Sequence, residues 1–346
     1  MRKVIHLTSV HPVFDVRIFH KEVKTLVKAG YDVTLIAQHN KEEVVDGIRI
    51  VSLPKPRNRF ERMTKVVWRL FRLALKEKAD VYHFHDPELI PVGLVLRLFG
   101  KKVIYDVHED VPQQILTKDW IGNPIVRKII SLFFKEFENL SCVFFNGIVA
   151  ATPDIAKKFP SQKTITLRNF PILELIDKAN PLNIDKQKPI IIYAGGLTKI
   201  RGIKEIIQSM EFVGDKAELW LLGKWENEEF KKECENLKGW RYTKNLGLKA
   251  LEEVYVYLKS ADIGLHCVYK IKRYMVGLPI KVFEYAAARL PIIISDSAYW
   301  RNEFDGCALF VDPKNPKDIA SKILQLLEYD KLRSKLAKRG RKIVLE

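Results

Sequence analysis

Residues 277–296 read GLPIKVFEYAAARLPIIISD, in which a tight loop, an apolar helical pattern and a β-branched run follow one another directly. The spacing predicts a helix over Lys281 to Ala288 and a strand over Pro291 to Ser295. The same alternation of strand and helix continues in both directions along the chain. It is typical of parallel sheets with helices on both faces, so we predict an α/β protein with doubly wound sheets.

Short β-branched runs recur in both halves of the chain. The predicted strands of the first half are Lys3 to Val10, Asp32 to Ala37, Ile48 to Leu53, Val81 to His85, Lys102 to Val107, Gly147 to Thr152 and Thr164 to Leu167. Those of the second half are Pro189 to Ala194, Glu218 to Leu222, Ile263 to Val268, Pro291 to Ser295 and Ala308 to Val311. A chain of 346 residues also exceeds the size of a single core. We therefore predict two Rossmann-like domains, at 1–171 and 189–330, joined by a polar linker at 172–188 and followed by a C-terminal helix at 331–346.

Composition and chain ends indicate the compartment. The four cysteines are far apart and form no Cys-x-x-Cys pair, which favours a reducing environment. The N-terminus reads as a first strand, and no run approaches the roughly 18 apolar residues that a membrane span needs. We expect a cytoplasmic protein, with peripheral attachment to the inner face of the cell membrane as a further possibility. The ending Leu345-Glu346 resembles a cloning scar, which leaves open whether the natural chain extends further.

Positive charge is concentrated in one segment. The net charge is +17, and Lys55 to Lys78 alone holds nine basic and two acidic residues, a net +7. Aromatic side chains are interleaved there with arginines and lysines, which suits weak binding to an anionic membrane. An ordinary helix packed on the sheet is the alternative. A nucleic-acid-binding module would also explain the charge, but no nucleic-acid motif accompanies it, so we expect no nucleic-acid partner.

The loop before the helix of residues 277–296 suits an anion. Gly277 and Pro279 form a turn whose free N–H groups and helix start face one point, where Lys281 adds a positive charge. Glu284, one turn further on, is able to accept hydrogen bonds from ribose hydroxyls. An ordinary Gly-Pro turn with a solvated carboxylate is the alternative.

A second loop, Tyr193-Ala-Gly-Gly-Leu-Thr-Lys-Ile-Arg-Gly202, follows the first strand of the second domain. Gly195 and Gly196 permit close approach of a ligand to the backbone, and Arg201 lies at the start of the next helix. We expect Arg201 to bind a phosphate. Lys199 is a further cation there, although an exposed loop lysine is the commoner interpretation.

In the first domain, ionisable residues follow three predicted strands. His11, Asp15 and Arg17 follow the first, without the glycines of a dinucleotide-binding fingerprint. An ion pair of Asp15 with Arg17 that caps the helix is an equally simple interpretation. His85 ends a later strand, and His108 and Glu109 end the next one, so we expect these three at one edge of the sheet. His83 is interpreted as a buried structural residue.

A metal site is the alternative use of these histidines and carboxylates. The chain contains no Asp-x-Asp pair, the feature by which single-domain sugar transferases hold a metal-bound diphosphate. We therefore expect no metal and no cofactor.

These motifs resemble the family 4 retaining glycosyltransferases. The run from Gly277 to Pro291 is similar to the donor-site signature Pro-x-Lys-x-x-Glu-Tyr-x-Ala-x-Gly-x-Pro, with Arg289 in place of the Gly. Val276 stands where many members have a further Glu. In the second loop, Arg201 matches the Lys of Gly-Arg-Leu-x-x-x-Lys-Gly, and Gly196 replaces its Arg. The run after His11 resembles the His-Pro-x-x-Asp-x-Arg-Ile pattern of bacterial polysaccharide-biosynthesis members.

The resemblance implies a GT-B fold with two Rossmann-like domains facing across a cleft, the donor bound mainly by the C-terminal one. The implied activity is retaining transfer of a hexose-type sugar from a UDP- or GDP-sugar to a saccharide or lipid-linked acceptor, in capsular or other cell-surface polysaccharide biosynthesis. Donor binding is assigned to Gly195, Gly196, Arg201, Gly277, Lys281 and Glu284, catalysis to His85, His108 and Glu109, and the acceptor side to His11, Asp15 and Arg17. A sugar-nucleotide epimerase of the same fold is the rival enzyme.

Overall fold

The computed structural model describes residues 2–271 and 278–345, and for Asp119 the backbone alone. Contacts divide the chain into two compact units, Met1–Asn169 and Phe170–Glu346, each built around one sheet. The segment 172–188, predicted as a linker, contains a helix at Leu173–Lys178. Its Ile176 is fully buried in the core of the second unit.

The first unit has an eight-stranded sheet in the order β3-β4-β2-β1-β5-β6-β7-β8. Neighbouring strands are parallel except β3 and β4, which are antiparallel. The strands are β1 (Lys3–Pro12), β2 (Asp32–Gln38), β3 (Glu43–Val45), β4 (Ile48–Leu53), β5 (Val81–Phe84), β6 (Lys102–Val107), β7 (Gly147–Ala150) and β8 (Thr164–Thr166).

Helices connect these strands. The α-helices are α1 (Lys24–Lys28), α2 (Arg59–Glu61), α3 (Val67–Lys76), α4 (Ile90–Leu98), α5 (Val111–Leu116), α6 (Pro124–Phe144) and α7 (Pro153–Ala156). Two π-helices, Val16–Val23 and Arg62–Val66, lead into α1 and α3, and 3-10 helices are found at Pro87–Leu89, Asp119–Ile121 and Ser161–Lys163.

The second unit has a parallel six-stranded sheet in the order β11-β10-β9-β12-β13-β14. The strands are β9 (Ile190–Ala194), β10 (Glu218–Leu222), β11 (Thr243–Gly247), β12 (Ile263–His266), β13 (Ile292–Ser295) and β14 (Ala308–Val311). The helices are α8 (Leu173–Lys178), α9 (Ile203–Val213), α10 (Glu228–Glu235), α11 (Leu251–Ser260), α12 (Ile280–Ala287), α13 (Ala298–Phe304), α14 (Pro316–Glu328) and α15 (Asp330–Leu345). Short 3-10 helices lie at Lys199–Arg201, Gly214–Lys216 and Lys238–Tyr242.

Burial explains why these runs form strands. All five residues of β9 are buried, because helices cover both faces of a parallel sheet and leave no solvated side. The predicted α/β architecture and every predicted strand are confirmed. The sequence prediction missed β3 and β11, one edge strand of each sheet, neither of which has a fully buried residue.

The four cysteines are all buried and none forms a disulfide. Over residues 2–271 and 278–345, no helix combines the length and the apolar character needed to cross a bilayer.

Candidate functional site

Both sheets reverse their strand order at one point. In the first sheet β1 lies between β2 and β5, and in the second β9 lies between β10 and β12. In open α/β sheets, ligands bind beyond the carboxyl ends of the strands at such a reversal. The predicted site residues lie there, because His85 follows β5, His108 follows β6 and Gly195 follows β9.

Three imidazoles form a hydrogen-bonded chain in the first unit. His6 Nδ1 lies 2.9 Å from His85 Nε2, and His85 Nδ1 lies 3.1 Å from His108 Nε2, with the donor at each step set by the tautomers. Burial lowers the pKa of His85 to about 3, with a further contribution from neighbouring His83. Burial, with His83 and His85, also holds the pKa of His6 well below its ordinary value. The two inner rings are therefore neutral at neutral pH, and the chain ends at His108, which is partly exposed.

A buried ion pair holds this chain in place. Arg17 Nη2 donates to both oxygens of Asp106, at 3.0 and 3.2 Å, and Arg17 Nε lies 2.9 Å from Glu22 Oε1. Asp106 Oδ2 also lies 3.5 Å from His85 Nδ1. Burial opposes ionisation of Asp106, but its contacts with His108 and the other histidines outweigh it and hold the pKa of this carboxyl well below its ordinary value. Burial and the charge of Asp106 raise the pKa of Glu22.

Four of these side chains have the chemistry of metal ligands. Glu22, His83, His85 and Asp106 each offer one ligand atom, and these atoms lie within 4.8 Å of one another. The guanidinium of Arg17 already contacts both carboxylates. For these residues, the positive charge that the carboxylates require is therefore supplied by Arg17.

The residues after β1 have separate roles. The Asp15 carboxylate accepts hydrogen bonds from the backbone N–H groups of Arg17 and Ile18 and so caps the π-helix. The side chain of Arg17 pairs with Asp106 rather than Asp15, so the predicted Asp15–Arg17 ion pair is wrong and only the capping is observed. Arg17 is 5% exposed. Its guanidinium contacts Leu167, Asp106 and Glu22, and its assignment to the acceptor side stays a prediction.

His11 lies beside two carboxylates. Its Nδ1 is 3.6 Å from Asp15 Oδ2 and its Nε2 is 3.4 Å from Asp86 Oδ1. Burial alone would lower the pKa of His11, but Asp15, Asp86 and Glu109 together outweigh burial and raise it. The exposed Glu109 is thus close enough to act on His11. Among the described residues, His11, His108 and Glu109 form the more accessible part of the cluster, whereas His85 is fully enclosed.

In the second unit, β9 ends beside Arg201. A side chain built at Gly195 would come within 3.0 Å of Arg201 Nη1, and one at Gly196 within 3.6 Å. Gly195 also has a φ of +154°, a conformation that other residues rarely adopt. Only glycine leaves room for the guanidinium against the loop backbone.

Helix α12 is fastened to the same strand ends. The N–H of Ala194 donates to the Tyr285 hydroxyl at 3.0 Å, and the Tyr285 ring lies against Gly264, where a Cβ would be 2.7 Å away. The contacts of Tyr285 hold α12, which carries Lys281 and Glu284, against β9 and β12, where the strand order reverses. Lys281 Nζ pairs with Glu284 Oε2 at 3.0 Å, and Glu284 is buried. Gly277, the remaining predicted donor residue, lies outside the described residues.

Two of the predicted cations act on a common residue that the sequence analysis missed. His266 ends β12 and is buried, and burial together with the charges of Arg201 and Lys281 lowers its pKa to about 3. His6, Glu22 and Asp106 were missed in the first unit. His6, Asp106 and His266 are polar residues within the apolar runs of strands, and Glu22 lies in the helix after β1. A polar residue that interrupts the apolar run of a strand is a signal that is visible in the sequence.

One signature position departs from its pattern in an informative way. Arg289 stands where the donor-site signature has Gly, and its φ is +64°, in the left-handed region. The backbone at the end of α12 thus requires the conformation that glycine adopts without strain. This turn gives a conformational reason for the glycine of the signature.

Comparison with known protein families matches both units. Residues 16–157 match the model described as "Glycosyl transferase 4-like domain", and residues 176–343 match "Glycosyl transferases group 1". Together they span most of the chain. This protein belongs to the family 4 glycosyltransferases.

Solved structures of this fold class are similar over nearly the whole glycosyltransferase chain. Sucrose-phosphate synthase from Thermosynechococcus elongatus has a TM-score of 0.74 at 18% identity, covering 100% of this chain and 94% of that one. HepE from Anabaena, in complex with UDP and glucose, has a TM-score of 0.72 at 10% identity, covering 99% and 95%. At such identities the likeness shows the fold, which is GT-B, as predicted.

One curated relative is 31% identical over 169 residues, which is 48% of this chain and 42% of the relative. It is the Campylobacter jejuni N,N'-diacetylbacillosaminyl-diphospho-undecaprenol alpha-1,3-N-acetylgalactosaminyltransferase. The matched region spans less than half of that relative.

Proposed function

We propose that this protein transfers a sugar from a nucleotide diphosphate donor, a UDP- or GDP-sugar, to a saccharide or lipid-linked acceptor. The observation that carries the proposal is the packing of Arg201 against the glycine loop that follows β9, with α12 and its Lys281 joined to the end of the same strand through Tyr285. The charges of Arg201 and Lys281 both act on the buried His266, which agrees with this placement. Two cations near one buried point suit a diphosphate. Glu284, which is buried on the same helix as Lys281, is proposed to accept hydrogen bonds from a ribose.

His266 sharpens this proposal. An imidazole with a pKa of about 3 stays neutral, so it adds no third charge and offers one donor and one acceptor. Its Nδ1 has no hydrogen-bond partner in the described part of the chain, although it is buried. A phosphate oxygen or sugar hydroxyl would satisfy this atom. His266 is therefore proposed as an additional donor-side ligand.

In the proposed mechanism, the departing diphosphate is stabilised by Arg201, Lys281 and backbone N–H groups, a preorganised electrostatic contribution. As the bond between the sugar and the diphosphate breaks, the acceptor hydroxyl enters on the same face and gives its proton to the departing diphosphate oxygen. The sugar thus retains its configuration and no side chain becomes covalently attached. His108 is the imidazole of the buried chain that is partly exposed, and it is proposed to hydrogen-bond the transferred sugar. No metal is required, because protein cations meet the leaving-group charge.

The acceptor is proposed to be lipid-linked and to serve capsular or other cell-surface polysaccharide synthesis at the inner face of the cell membrane. The acceptor named for the Campylobacter relative, a diphospho-undecaprenol, supports this choice. The net +7 segment from Lys55 to Lys78 supports weak attachment to an anionic membrane. Within it, Val66, Leu70 and Ala74 are buried in the core, while Phe60 and Trp68 are exposed.

Thermal-shift titration with UDP, GDP and their common sugar conjugates tests the donor site. At least one nucleotide should raise the Tm, and its Kd should increase by roughly tenfold or more in Arg201→Ala and in Lys281→Ala, because each loses a charge-assisted contact. His108→Ala should retain most of the shift, and EDTA should not abolish it. Lys238→Ala, at a lysine 82% exposed in the same unit, is the matched control. Unchanged shifts in both cation variants would show the donor site to be wrongly assigned.

Product analysis separates transfer from the rival epimerisation. A transferase releases nucleoside diphosphate in proportion to added acceptor, whereas an epimerase converts one nucleotide sugar into another without acceptor. Acceptor-independent conversion with no diphosphate released would refute the proposed transfer.

A further inference from the structure

Helix α6 exposes a row of apolar side chains that Glu136 interrupts near its middle. These are Ile125, Ile129, Leu132, Phe133, Leu140, Val143 and Phe144, here called the α6 stripe. Their spacings of three, four and seven residues place them on one face of this 21-residue helix. Phe133 is 75% exposed and Ile125 is 71% exposed.

The packed side of α6 is a mixture of polar and apolar side chains. Ser131, Glu138, Ser141 and Cys142 are buried, and Phe134 and Phe137 pack against the core. The Tyr105 hydroxyl donates to Glu138 at 2.8 Å. A helix that serves only to cover a core has a polar outer face, whereas the outer face of α6 is largely apolar. An exposed apolar row of this length marks a binding surface.

The N-terminal end of α6 adjoins the basic segment. The guanidinium of Arg59 in α2 stacks on the ring of Trp120, 3.9 Å from its centroid, and Trp120 lies four residues before α6 begins. Trp120 itself is 61% exposed. The stripe and the segment Lys55 to Lys78 are therefore neighbouring parts of one surface of the first unit.

We propose that the α6 stripe inserts into an anionic lipid bilayer while the segment Lys55 to Lys78 binds the lipid phosphates. The positive charge of this surface favours an anionic lipid bilayer over a second copy of the protein. A symmetric contact with a second copy would bring two strongly basic segments together, whereas anionic lipid is complementary to both the apolar and the basic part. The helix lies in the plane of the interface, because Arg127, Lys128 and Lys135 prevent it from spanning. The inference extends the proposed lipid-linked acceptor by naming the surface that reaches the membrane.

Co-sedimentation with vesicles tests the surface in the full chain. Vesicles of phosphatidylcholine and phosphatidylglycerol in equal amounts should bind the protein, and vesicles of phosphatidylcholine alone should bind it less. The double variant Ile129→Glu/Phe133→Glu should reduce the partition coefficient by roughly tenfold or more per side chain, because neither group then enters the bilayer. The matched control is Leu248→Glu, at a leucine 76% exposed in the second unit, and it should bind as the wild type does.

A gain-of-binding variant removes the risk that a substitution merely unfolds the helix. Glu136 lies within the stripe and is 74% exposed, paired with Lys135 at 4.0 Å. Glu136→Leu completes the apolar row, so it should increase vesicle binding by roughly tenfold. Quenching of tryptophan fluorescence by brominated lipid should report insertion of Trp120, and Trp120→Phe should remove most of that signal.

Three outcomes would overturn the inference. One is equal vesicle binding by the wild type, the Ile129→Glu/Phe133→Glu variant and the Glu136→Leu variant. Another is loss of binding on reversing Arg69 and Arg72 to Glu with no effect of the stripe variants, which would assign binding to charge alone. A third is a wild-type dimer that the stripe variant converts to monomer without loss of vesicle binding. Nucleotide thermal shifts of the same variants should stay unchanged, so failure of this surface is distinguishable from failure of the proposed transfer.

Discussion

Replacing Arg17 with Met tests the ion pair beneath the proposed catalytic cluster. Arg17 donates to Asp106, contacts Glu22 and donates through Nη1 to the Leu167 carbonyl at 2.9 Å. Met has a similar length and no charge. Arg17→Met therefore leaves the Asp106 carboxylate in the core without its guanidinium.

The expected loss is large because both partners are enclosed. The side chains of Arg17 and Asp106 are 6% and 0% exposed, so solvent screens the pair little. Removing one partner of a buried pair costs about 3–5 kcal/mol, since a buried charge is left uncompensated. For a unit of this size, that corresponds to a decrease in Tm of about 6–20 °C.

Hydrogen exchange measured by mass spectrometry locates the effect. Peptides from β5 and β6 should lose about 3–5 kcal/mol of opening free energy in Arg17→Met. Peptides from β9 and β10 in the second unit act as an internal control and should be unchanged. Asp106→Asn alone should also destabilise β5 and β6, because it leaves the arginine buried without its carboxylate.

The double variant Arg17→Met/Asp106→Asn decides the interpretation. Because the double variant removes both charges, its loss of stability should be smaller than the sum of the two single losses, by a coupling energy of about 2 kcal/mol or more. Strictly additive losses, or a loss below about 1 kcal/mol in Arg17→Met, would refute the assigned ion pair.

The remaining predictions concern the second unit. His266 has a pKa of about 3 when folded, below the 6.5 of a free imidazole, so the unfolded chain binds more protons between these values and stability is lost as the pH falls through that window. By about pH 5 the loss in the free energy of unfolding should reach about 2 kcal/mol. Urea unfolding measured against pH checks this, and an equal pH dependence of the midpoint in wild type and His266→Gln would contradict the role of His266. Arg289→Gly should raise the stability by about 0.5–1 kcal/mol, because it relieves a left-handed backbone. Gly214→Ala should instead cost about 1–3 kcal/mol, because Gly214 combines a φ of 64° with a ψ of −143°, a region that glycine alone adopts readily. Calorimetry showing Arg289→Gly to be destabilising would be inconsistent with backbone strain at the turn of Arg289.

Strands and helices were predictable where burial shapes the sequence on both faces. The run of β9 is apolar throughout and was identified, as was the helix that contains Lys281. The strands β3 and β11 were not, because none of their residues is fully buried and burial therefore places little constraint on their sequences. The capping of the helix after β1 by Asp15 was also foreseen as an alternative, since it depends on residues two and three positions apart.

The sequence by itself determined the elements, their alternation and the candidate residues at strand ends, because these depend on neighbours along the chain. Only the tertiary structure decided that Arg17 pairs with Asp106 rather than Asp15, that the charges of Arg201 and Lys281 both act on His266, and that α6 leaves a second apolar face exposed. Such partners are set by strand order and by which face of a helix meets the sheet. A hydrophobic period shows that a helix has an apolar side, but the core it packs against decides where that side points.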